Sequence, residues 1–239
     1  MHMTMANSSN VDPVELAKFA ATANEWWNVE GSFKTLHQIN PLRLSFIQNQ
    51  IDLTAKKIID IGCGGGILAE SLAKANATVT AIDLNDSAIQ VAKTHAEQQQ
   101  LNIEYQLISA EEIAHQCPAY YDIVTCMELL EHVPDPASII QACAQLVKPG
   151  GYVFFSTINR NLKSFLLAII GAEYALKLLP KGTHRYDQLI KPSELDQWSR
   201  QAGLTIQKII GIHYNPFSQQ FSLQPGVDVN YLVSYQKSP

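Results

Sequence analysis

The chain has 239 residues, 46% of them hydrophobic and 16% charged, which suits one domain with a substantial core. Its 22 acidic and 17 basic side chains give a net charge of −5, and no long basic run occurs, which argues against a broad nucleic-acid surface. The four cysteines show no C-x-x-C spacing, and the polar first ten residues lack the apolar segment of a signal peptide. We therefore expect reduced thiols in a cytoplasmic protein.

Two helices are predicted ahead of the first strand. The first covers Val11–Asn24, where apolar residues recur at helical spacing behind an Asp-Pro start. The second covers Asn40–Gln50 and is expected to begin at Pro41, because proline is favoured in the first turn of a helix. We expect residues 1–55 to form a helical cap on a core of residues 56–239, the whole making effectively one domain.

From residue 57 onward, strands alternate with helices. Apolar runs predict strands at 58–61, 79–82, 103–108, 122–127, 152–157, 204–210 and 230–236. Helical spacing predicts helices at 67–74, 87–99, 135–147 and 192–202. This alternation predicts an α/β, Rossmann-like fold: a seven-stranded, mostly parallel sheet with helices on both faces. An N-terminal helical extension and an inserted apolar helical segment complete the predicted architecture.

The densest functional signal follows the first of these strands. Residues 58–66 read Ile-Ile-Asp-Ile-Gly-Cys-Gly-Gly-Gly and lead into a helix. The glycines permit a tight turn and a close approach of the backbone to a ligand. Asp83 ends the next strand, where a carboxylate can bind the hydroxyl groups of a ribose. This layout predicts a nucleotide-type cofactor site at the carboxyl edge of a parallel sheet.

The glycine pattern must be assigned to one of two cofactor classes. A dinucleotide fingerprint fits only if Ala69 takes the place of its third glycine, which is a weak match. Asp60, two residues before Gly62, contributes nothing to a pyrophosphate loop, whereas a carboxylate there suits the amine and sulfonium of S-adenosylmethionine. The pattern D-x-G-x-G-x-G with Asp83 behind it resembles motif I of the class I methyltransferases, so that class is favoured.

A second candidate site follows the fourth predicted strand, in the run Cys126–His132. Met127 offers a backbone carbonyl and a soft side chain near the amino-acid part of the cofactor. Glu128, Glu131 and His132 bring two carboxylates and an imidazole within five residues, and in a helical turn they share one face. Carboxylates and water are the ligands of a hard cation such as Mg²⁺. A solvated acidic turn with a capping histidine is the alternative interpretation.

The segment 161–190 interrupts the alternation of strands and helices. It is strongly apolar with basic residues at both ends, but it is too short and too interrupted by charge to span a bilayer. Such a segment suits an interfacial helix or a lid over an apolar substrate, and a helix packed on the domain is the other interpretation. His184 follows the apolar run, so a lid could carry it into the site as a catalytic base.

Long stretches of the chain resemble the proteobacterial O-methyltransferases of ubiquinone biosynthesis, a family of class I S-adenosylmethionine enzymes. The narrowest motifs are Leu-His-Gln-Ile-Asn-Pro-Leu-Arg at 36–43 and Glu-Leu-Leu-Glu-His at 128–132, whereas motif I marks only the superfamily. No departure from the family pattern occurs at the matching positions. They cover residues 36–44, 60–71, 124–136, 154–161, 182–184, 213–216 and 225–231.

The resemblance implies a class I methyltransferase fold and a set of site residues. Arg43 is expected to pair with the carboxylate of S-adenosylmethionine. The cofactor-binding residues are predicted to be Arg43, Gly62, Gly64, Asp83 and Met127. A divalent cation, Mg²⁺ or another, is predicted at Glu128, Glu131 and His132. The catalytic candidates are His132 and His184.

The resemblance also implies the substrate and the setting of the reaction. The family methylates the phenolic oxygen of polyprenylated hydroxyphenol and 3-demethylubiquinol. The expected partners are this polyprenylated phenol or quinol, an anionic membrane surface and other enzymes of the pathway, with no nucleic acid. The expected location is cytoplasmic, peripherally associated with the inner membrane.

Methyl transfer of this kind is an in-line displacement at a sulfonium-activated carbon, so positioning supplies much of the rate. The phenol must lose its proton, either because a chelated metal lowers its pKa or because a histidine accepts the proton. Three alternatives stay open at this point: a class I methyltransferase for another small phenol, a non-catalytic nucleotide-binding module, and an NAD-dependent dehydrogenase.

Overall fold

The computed structural model describes residues 10–161 and 186–239. Within them, eight strands form one sheet. The strands are β1 (Lys57–Ile61), β2 (Thr78–Asp83), β3 (Ile103–Leu107), β4 (Tyr121–Met127), β5 (Val147–Ile158), β6 (Leu204–Asn215), β7 (Gln220–Gln224) and β8 (Asn230–Lys237). Their order across the sheet is β3-β2-β1-β4-β5-β8-β6-β7.

Five of the strands, β1 to β5, are mutually parallel. At the other side of the sheet, β8 runs antiparallel to both β5 and β6, and β7 runs antiparallel to β6. The predicted α/β sheet is therefore confirmed, but the predicted count of seven strands is wrong. Strand β7 is a five-residue edge strand with two apolar residues, and it pairs with a part of β6 that extends past the predicted end at residue 210.

Helices cover both faces of the sheet. They are α1 (Pro13–Ala21), α2 (Lys34–Gln48), α3 (Ile67–Lys74), α4 (Asp86–Gln98), α5 (Ala110–Gln116), α6 (Pro136–Leu146) and α7 (Pro192–Gln201), with short 3₁₀ turns at Ala23–Glu25, Leu130–His132 and Tyr186–Gln188. One apolar cluster joins the sheet to α2, α3 and α4, and another joins it to α5, α6 and α7. The strands between them are consequently buried on both sides, which explains their continuous apolar runs.

Helix α2 begins six residues before the predicted start at Asn40, and Pro41 lies inside it. A proline within a helix removes a backbone hydrogen bond and costs about 3 kcal/mol. Packing offsets this cost, because α2 buries apolar side chains against α3, and the Asn40 amide donates to Ile67 O at 3.2 Å and Ser71 Oγ at 2.8 Å. Tertiary contacts thus override the local start signal.

The predicted insert at 161–190 falls almost entirely on residues 162–185, which lie outside the described residues. In the ranges that the structure describes, no helix combines the length and the apolar character needed to cross a membrane.

Candidate active site

A cavity of about 660 Å³ opens at the carboxyl ends of β1, β2 and β4. Residues of α1, of α2 and of the β6–β7 hairpin also line it. This volume suits a nucleoside-sized ligand together with part of a second molecule. The structure brings most of the predicted site residues to this wall: Arg43, Gly62, Gly64, Asp83, Met127, Glu128 and His132.

The turn Gly62–Gly66 carries the chain from β1 into α3. Gly62 N and Cys63 N both donate to Ile82 O, at 2.9 and 3.0 Å, which ties the turn to the end of β2. Gly62 has a φ of +70°, and a Cβ atom there would lie 2.9 Å from the Leu129 side chain, so a larger residue does not fit. The turn therefore presents bare backbone to a ligand in the cavity.

Asp83 is held in place by the same turn. Its Oδ2 accepts a hydrogen bond from Gly64 N at 2.8 Å, and its Oδ1 accepts one from Asn85 N at 2.8 Å. Burial raises the pKa of Asp83, and the two backbone N–H groups partly counteract that rise. Each carboxylate oxygen has a second lone pair, so the fixed carboxylate can still accept from ligand hydroxyl groups.

Arg43 reaches the cavity from α2 with a buried side chain. Its Nη2 lies 3.0 Å from Glu128 Oε1, and Glu128 in turn accepts a hydrogen bond from Ser156 Oγ at 2.6 Å. The Nε of Arg43 has no hydrogen-bond partner among the described residues. A buried guanidinium with an unpaired N–H is suited to bind a further carboxylate, so the site fits the amino-acid end of S-adenosylmethionine.

Asp60 lies in β1 directly beside Thr125 of β4, and its residue is only 2% exposed. Thr125 Oγ1 donates to Asp60 Oδ1 at 2.6 Å. Burial raises the pKa of Asp60 to about 7, against the opposing effects of the Thr125 hydrogen bond and the charge of Arg43. A carboxyl group that ionises near neutrality in the cavity wall can respond to the positive charge of a bound ligand.

Glu131 is buried in the 3₁₀ turn that follows β4. Its Oε2 accepts from Thr157 Oγ1 at 2.8 Å, and its Oε1 has no hydrogen-bond partner among the described residues. Burial and the neighbouring charge of Glu128 raise the pKa of Glu131 well above its usual range. Glu131 is not among the residues that line the cavity, and its buried carboxyl group favours the protonated form.

His132 is turned toward α1. Its Nδ1 lies 3.0 Å from Glu15 Oε2, and the Phe19 ring meets it edge-on with ring centroids 5.2 Å apart. The hydrogen bond with His132 is the main cause that lowers the pKa of Glu15 to about 2, and Lys18 Nζ lies 2.6 Å from Glu15 Oε1. Glu15 was not predicted from the sequence, where its only signal is a carboxylate in a mostly apolar helix.

The three residues predicted to bind a metal do not form a ligand set. In residues 10–161 and 186–239, no three His, Cys, Asp or Glu side chains are placed to hold a metal ion. The expected helical turn with one shared face does not form, because Glu128 has a left-handed φ of +52° and the 3₁₀ turn begins only at Leu130. As placed, Glu128, Glu131 and His132 do not fit a three-ligand metal centre.

The described part of the site thus combines a backbone turn, a fixed carboxylate, a buried guanidinium and an oriented imidazole around one cavity. His184, the second catalytic candidate, lies outside the described residues. Such a set can bind a nucleoside-linked amino acid and accept a proton from a second ligand, and it suits group transfer between the two.

Comparison with protein families gives a match over residues 35–209 to a family described as a methyltransferase domain. Three relatives share the name ubiquinone biosynthesis O-methyltransferase. That of Acinetobacter baylyi is 58% identical over 94% of this chain and 95% of its own length. That of Stutzerimonas stutzeri is 56% identical over 96% and 99%, and that of Pseudomonas fluorescens is 55% identical over 94% and 97%.

Two solved methyltransferase structures resemble this chain at much lower sequence identity. Magnesium protoporphyrin IX methyltransferase from Synechocystis, solved with bound SAH, aligns with a TM-score of 0.71 at 18% identity over 94% of this chain and 99% of its own. A possible histamine N-methyltransferase from Thermotoga maritima aligns with a TM-score of 0.67 at 17% identity over 93% and 99%. These similarities confirm the predicted class I methyltransferase fold.

Proposed function

Because the chain belongs to the family of ubiquinone biosynthesis O-methyltransferases, we propose that it methylates a phenolic hydroxyl of polyprenylated hydroxyphenol and 3-demethylubiquinol intermediates. The methyl donor is S-adenosylmethionine. The observation that carries the proposal is the grouping of Arg43, Asp83 and the glycine turn around one cavity with space left over. This grouping supports binding of the donor next to an acceptor.

The chain's own residues hold the donor by its two polar ends. Arg43 binds the carboxylate of the amino-acid end, where its Nε lacks a partner among the described residues. Asp83 binds the ribose, and the backbone of Gly62 and Gly64 borders the site with Met127 beside it. When bound, S-adenosylmethionine supplies a methyl group activated by its sulfonium. Arg43 and Asp83 hold the donor in one orientation, and positioning of this kind supplies much of the rate in an in-line displacement.

The acceptor occupies the less polar part of the cavity. Apolar side chains from α1, β6 and β7 line that part: Leu16, Phe19, Ile212 and Phe221. They suit a ring with a hydrocarbon tail and exclude water from the reacting atoms. His132 lies in the same wall and accepts the phenolic proton, with Glu15 holding its Nδ1. His184 is the alternative base.

We also propose that a divalent cation binds near Glu128 and Glu131, but we assign it no step in the reaction. Two neighbouring carboxyl groups, Glu128 and Glu131, supply suitable donor chemistry, but among the described residues no third His, Cys, Asp or Glu side chain joins them as a ligand. If a cation assists, chelation and Glu131→Gln should both reduce turnover while S-adenosylhomocysteine binds as before. Full activity of thoroughly metal-stripped protein would contradict the metal proposal and leave a histidine as the base.

We further propose that the protein works at an anionic membrane surface, peripherally on the inner membrane, through the apolar insert at 161–190. A polyprenylated substrate is dissolved in lipid, which supports this location, and other enzymes of the pathway are further proposed partners. In this proposal residues 1–55 are a cap on the core of residues 56–239.

Polarising Leu166, Leu167, Ile169 and Ile170 should abolish sedimentation with anionic liposomes but preserve cofactor affinity. Loss of folding, with no liposome binding in the parent, would contradict the proposal.

The proposed reaction is tested by transfer of a labelled methyl group. Purified protein with labelled S-adenosylmethionine should label a short-chain demethylubiquinol analogue on its phenolic oxygen, as mass spectrometry would show. The matched control is the same analogue with that oxygen already methylated, which should gain no label. Labelling of simple catechols but not of the prenylated analogue would contradict the substrate assignment.

A further inference from the structure

Two consecutive tryptophans pack against the glycine turn 62–66. Trp26 packs so closely that a Cβ atom at Gly64 or at Gly65 would lie 2.4 Å from an atom of its ring system. The neighbouring Trp27 donates a hydrogen bond from Nε1 to Gly65 O at 3.0 Å. The turn is thus held by the tryptophans as well as by its hydrogen bonds to the end of β2.

Trp27 is itself held in a fixed position. Its ring stacks on the His95 ring of α4, with centroids 3.5 Å apart and planes 8° apart. His95 Nδ1 lies 2.5 Å from Glu70 Oε1 of α3, and Glu70 is 1% exposed. Through His95 and Glu70, helices α4 and α3 fix the Trp27 ring in the orientation that directs its indole N–H toward the turn.

Trp26 belongs to the cavity wall as well as to the turn. Its ring stacks on Phe33, with centroids 3.8 Å apart and planes 6° apart, and its carbonyl oxygen lies 2.7 Å from His37 Nε2. The side chain lines the cavity, yet its buried Nε1 has no hydrogen-bond partner among the described residues. A buried donor without a partner costs free energy in a folded protein. Its position beside a cavity indicates that a bound ligand supplies the missing acceptor.

We infer that this tryptophan pair is part of the cofactor site, with Trp26 as a binding residue and Trp27 as a positioning residue. The inference rests on the proposed function, since the ligand class is a nucleoside-linked amino acid such as S-adenosylmethionine. A turn rich in glycine loses much conformational freedom when it is ordered. Fixing the turn before binding removes that cost from the binding step, so the pair should govern cofactor affinity.

The direct test is Trp27→Phe, which keeps an aromatic ring to stack on His95 and removes the N–H donor together with one ring of the indole. The Kd for S-adenosylhomocysteine, measured by calorimetry, should rise about 3- to 10-fold, the usual effect of one neutral hydrogen bond. The KM for S-adenosylmethionine should rise by the same factor with kcat nearly unchanged, because the lost interaction is made equally in ground and transition states. A merely structural role would not produce this split.

The matched control is Trp198→Phe, the same substitution on α7, at the face of the sheet away from α3 and α4. Its Kd should equal that of the parent. The chain has three tryptophans, so only Trp26 and Trp27 emit in this variant, and S-adenosylhomocysteine should change their fluorescence. Calorimetric binding without any change in emission would remove Trp26 from the site.

Two failures are distinguishable. If the parent protein binds no S-adenosylhomocysteine, the proposed function fails. If the parent binds it and Trp27→Phe binds it equally tightly with an unchanged KM, the proposed function stands and the positioning role of Trp27 is refuted. Because thermal melting without ligand shows whether each variant is folded, a gross folding defect cannot be mistaken for either result.

Discussion

Single carboxyl groups around the cavity have opposite pKa shifts, and the cause of each is local. Glu15 gains His132 as a hydrogen-bonding partner, which lowers its pKa to about 2. Asp60 loses water on all sides, which raises its pKa to about 7. Residues whose environments drive their pKa values apart commonly divide the charged and proton-transferring roles of a site. Here Glu15, which stays ionised near neutral pH, lies beside the His132 imidazole. Asp60, whose ionisation changes near pH 7, lies in β1, just before the glycine turn.

Cofactor affinity should depend on pH through Asp60. The ordinary Asp pKa is about 3.9, so between about pH 4 and 7 the folded protein binds more protons than the unfolded chain, and its stability falls as pH rises. The positively charged ammonium of the ligand's amino-acid end favours an ionised carboxylate nearby, so affinity for S-adenosylhomocysteine should increase by up to about tenfold per pH unit below 7 and then level off. Calorimetry from pH 6 to 8 would measure this dependence.

The control for that dependence is Asp60→Asn, which removes the titrating group and retains a side chain of similar size. Its affinity should be weaker than that of the parent and much less sensitive to pH over the same range. Parallel pH profiles for the parent and the variant would show that another group is responsible.

Arg43→Lys tests recognition of the cofactor carboxylate. Lysine keeps the charge but loses the planar pair of donors, so the Kd for S-adenosylhomocysteine should rise by about 10- to 100-fold, corresponding to roughly 1.5–3 kcal/mol for a bond between charged groups. Arg200→Lys on α7, an exposed arginine paired with Asp196, is the matched control and should leave the Kd unchanged. Equal affinities of the two variants would remove Arg43 from the site.

At the scale of single residues, the sequence predicts which residues belong to the site better than it predicts which side chains contact one another. Asp83 and the glycines are predictable because a strand end and a tight turn have local signatures. The pairing of His132 with Glu15 is not, since the two are far apart in the chain and only the packing of α1 brings them together. The contact between Glu128 and Arg43 likewise depends on the left-handed backbone conformation of Glu128, which no local sequence pattern predicts.

At the scale of elements, helices and strands with a continuous apolar pattern are predicted well. Helix α3 lies at the predicted residues, β1 and β4 begin one residue earlier than predicted, and β2 is one residue longer at each end. The errors arise where long-range contacts outweigh local preference. Packing on α3 carries α2 through Pro41, and pairing with an extended β6 makes a strand of the mostly polar β7.

The β6–β7 hairpin supports the membrane proposal and offers an independent test of it. Strand β6 is parallel to β5, so the hairpin tip lies at the carboxyl edge of the sheet, where Pro216 lines the cavity and Phe217 is 98% exposed. No Asp or Glu occurs from residue 197 to 227, although the chain as a whole is acidic. An exposed aromatic tip without negative charge beside the cavity suits contact with anionic lipid.

Phe217→Ser should therefore weaken sedimentation with vesicles that contain phosphatidylglycerol by at least about threefold, because an aromatic ring loses its burial in the interface. Ile206→Ser is the matched control, since Ile206 is 41% exposed near the other end of β6. Activity on a short-chain, water-soluble acceptor should persist in both variants. Equal sedimentation of the two variants would exclude a specific contact by the hairpin.

At the scale of the whole molecule, the carboxyl edge of the sheet forms one side of the cavity and the described N-terminal residues form another. Asn10 bonds to Glu111 and to the Asp135 backbone, and α1 reaches His132 through Glu15. The segment between α1 and α2 covers the glycine turn, so the cavity is formed jointly by the core and by residues far from it in sequence. Binding of the cofactor should consequently stabilise the N-terminal segment and the core together.

We infer that this cavity binds S-adenosylmethionine and not a dinucleotide. The most direct measurement is calorimetric titration of the intact protein with S-adenosylhomocysteine and, separately, with NAD at pH 7. We predict saturable one-site binding of S-adenosylhomocysteine, accompanied by proton release from Asp60, and no binding of NAD. Saturable binding of NAD, or binding of neither ligand to folded protein, would contradict the account.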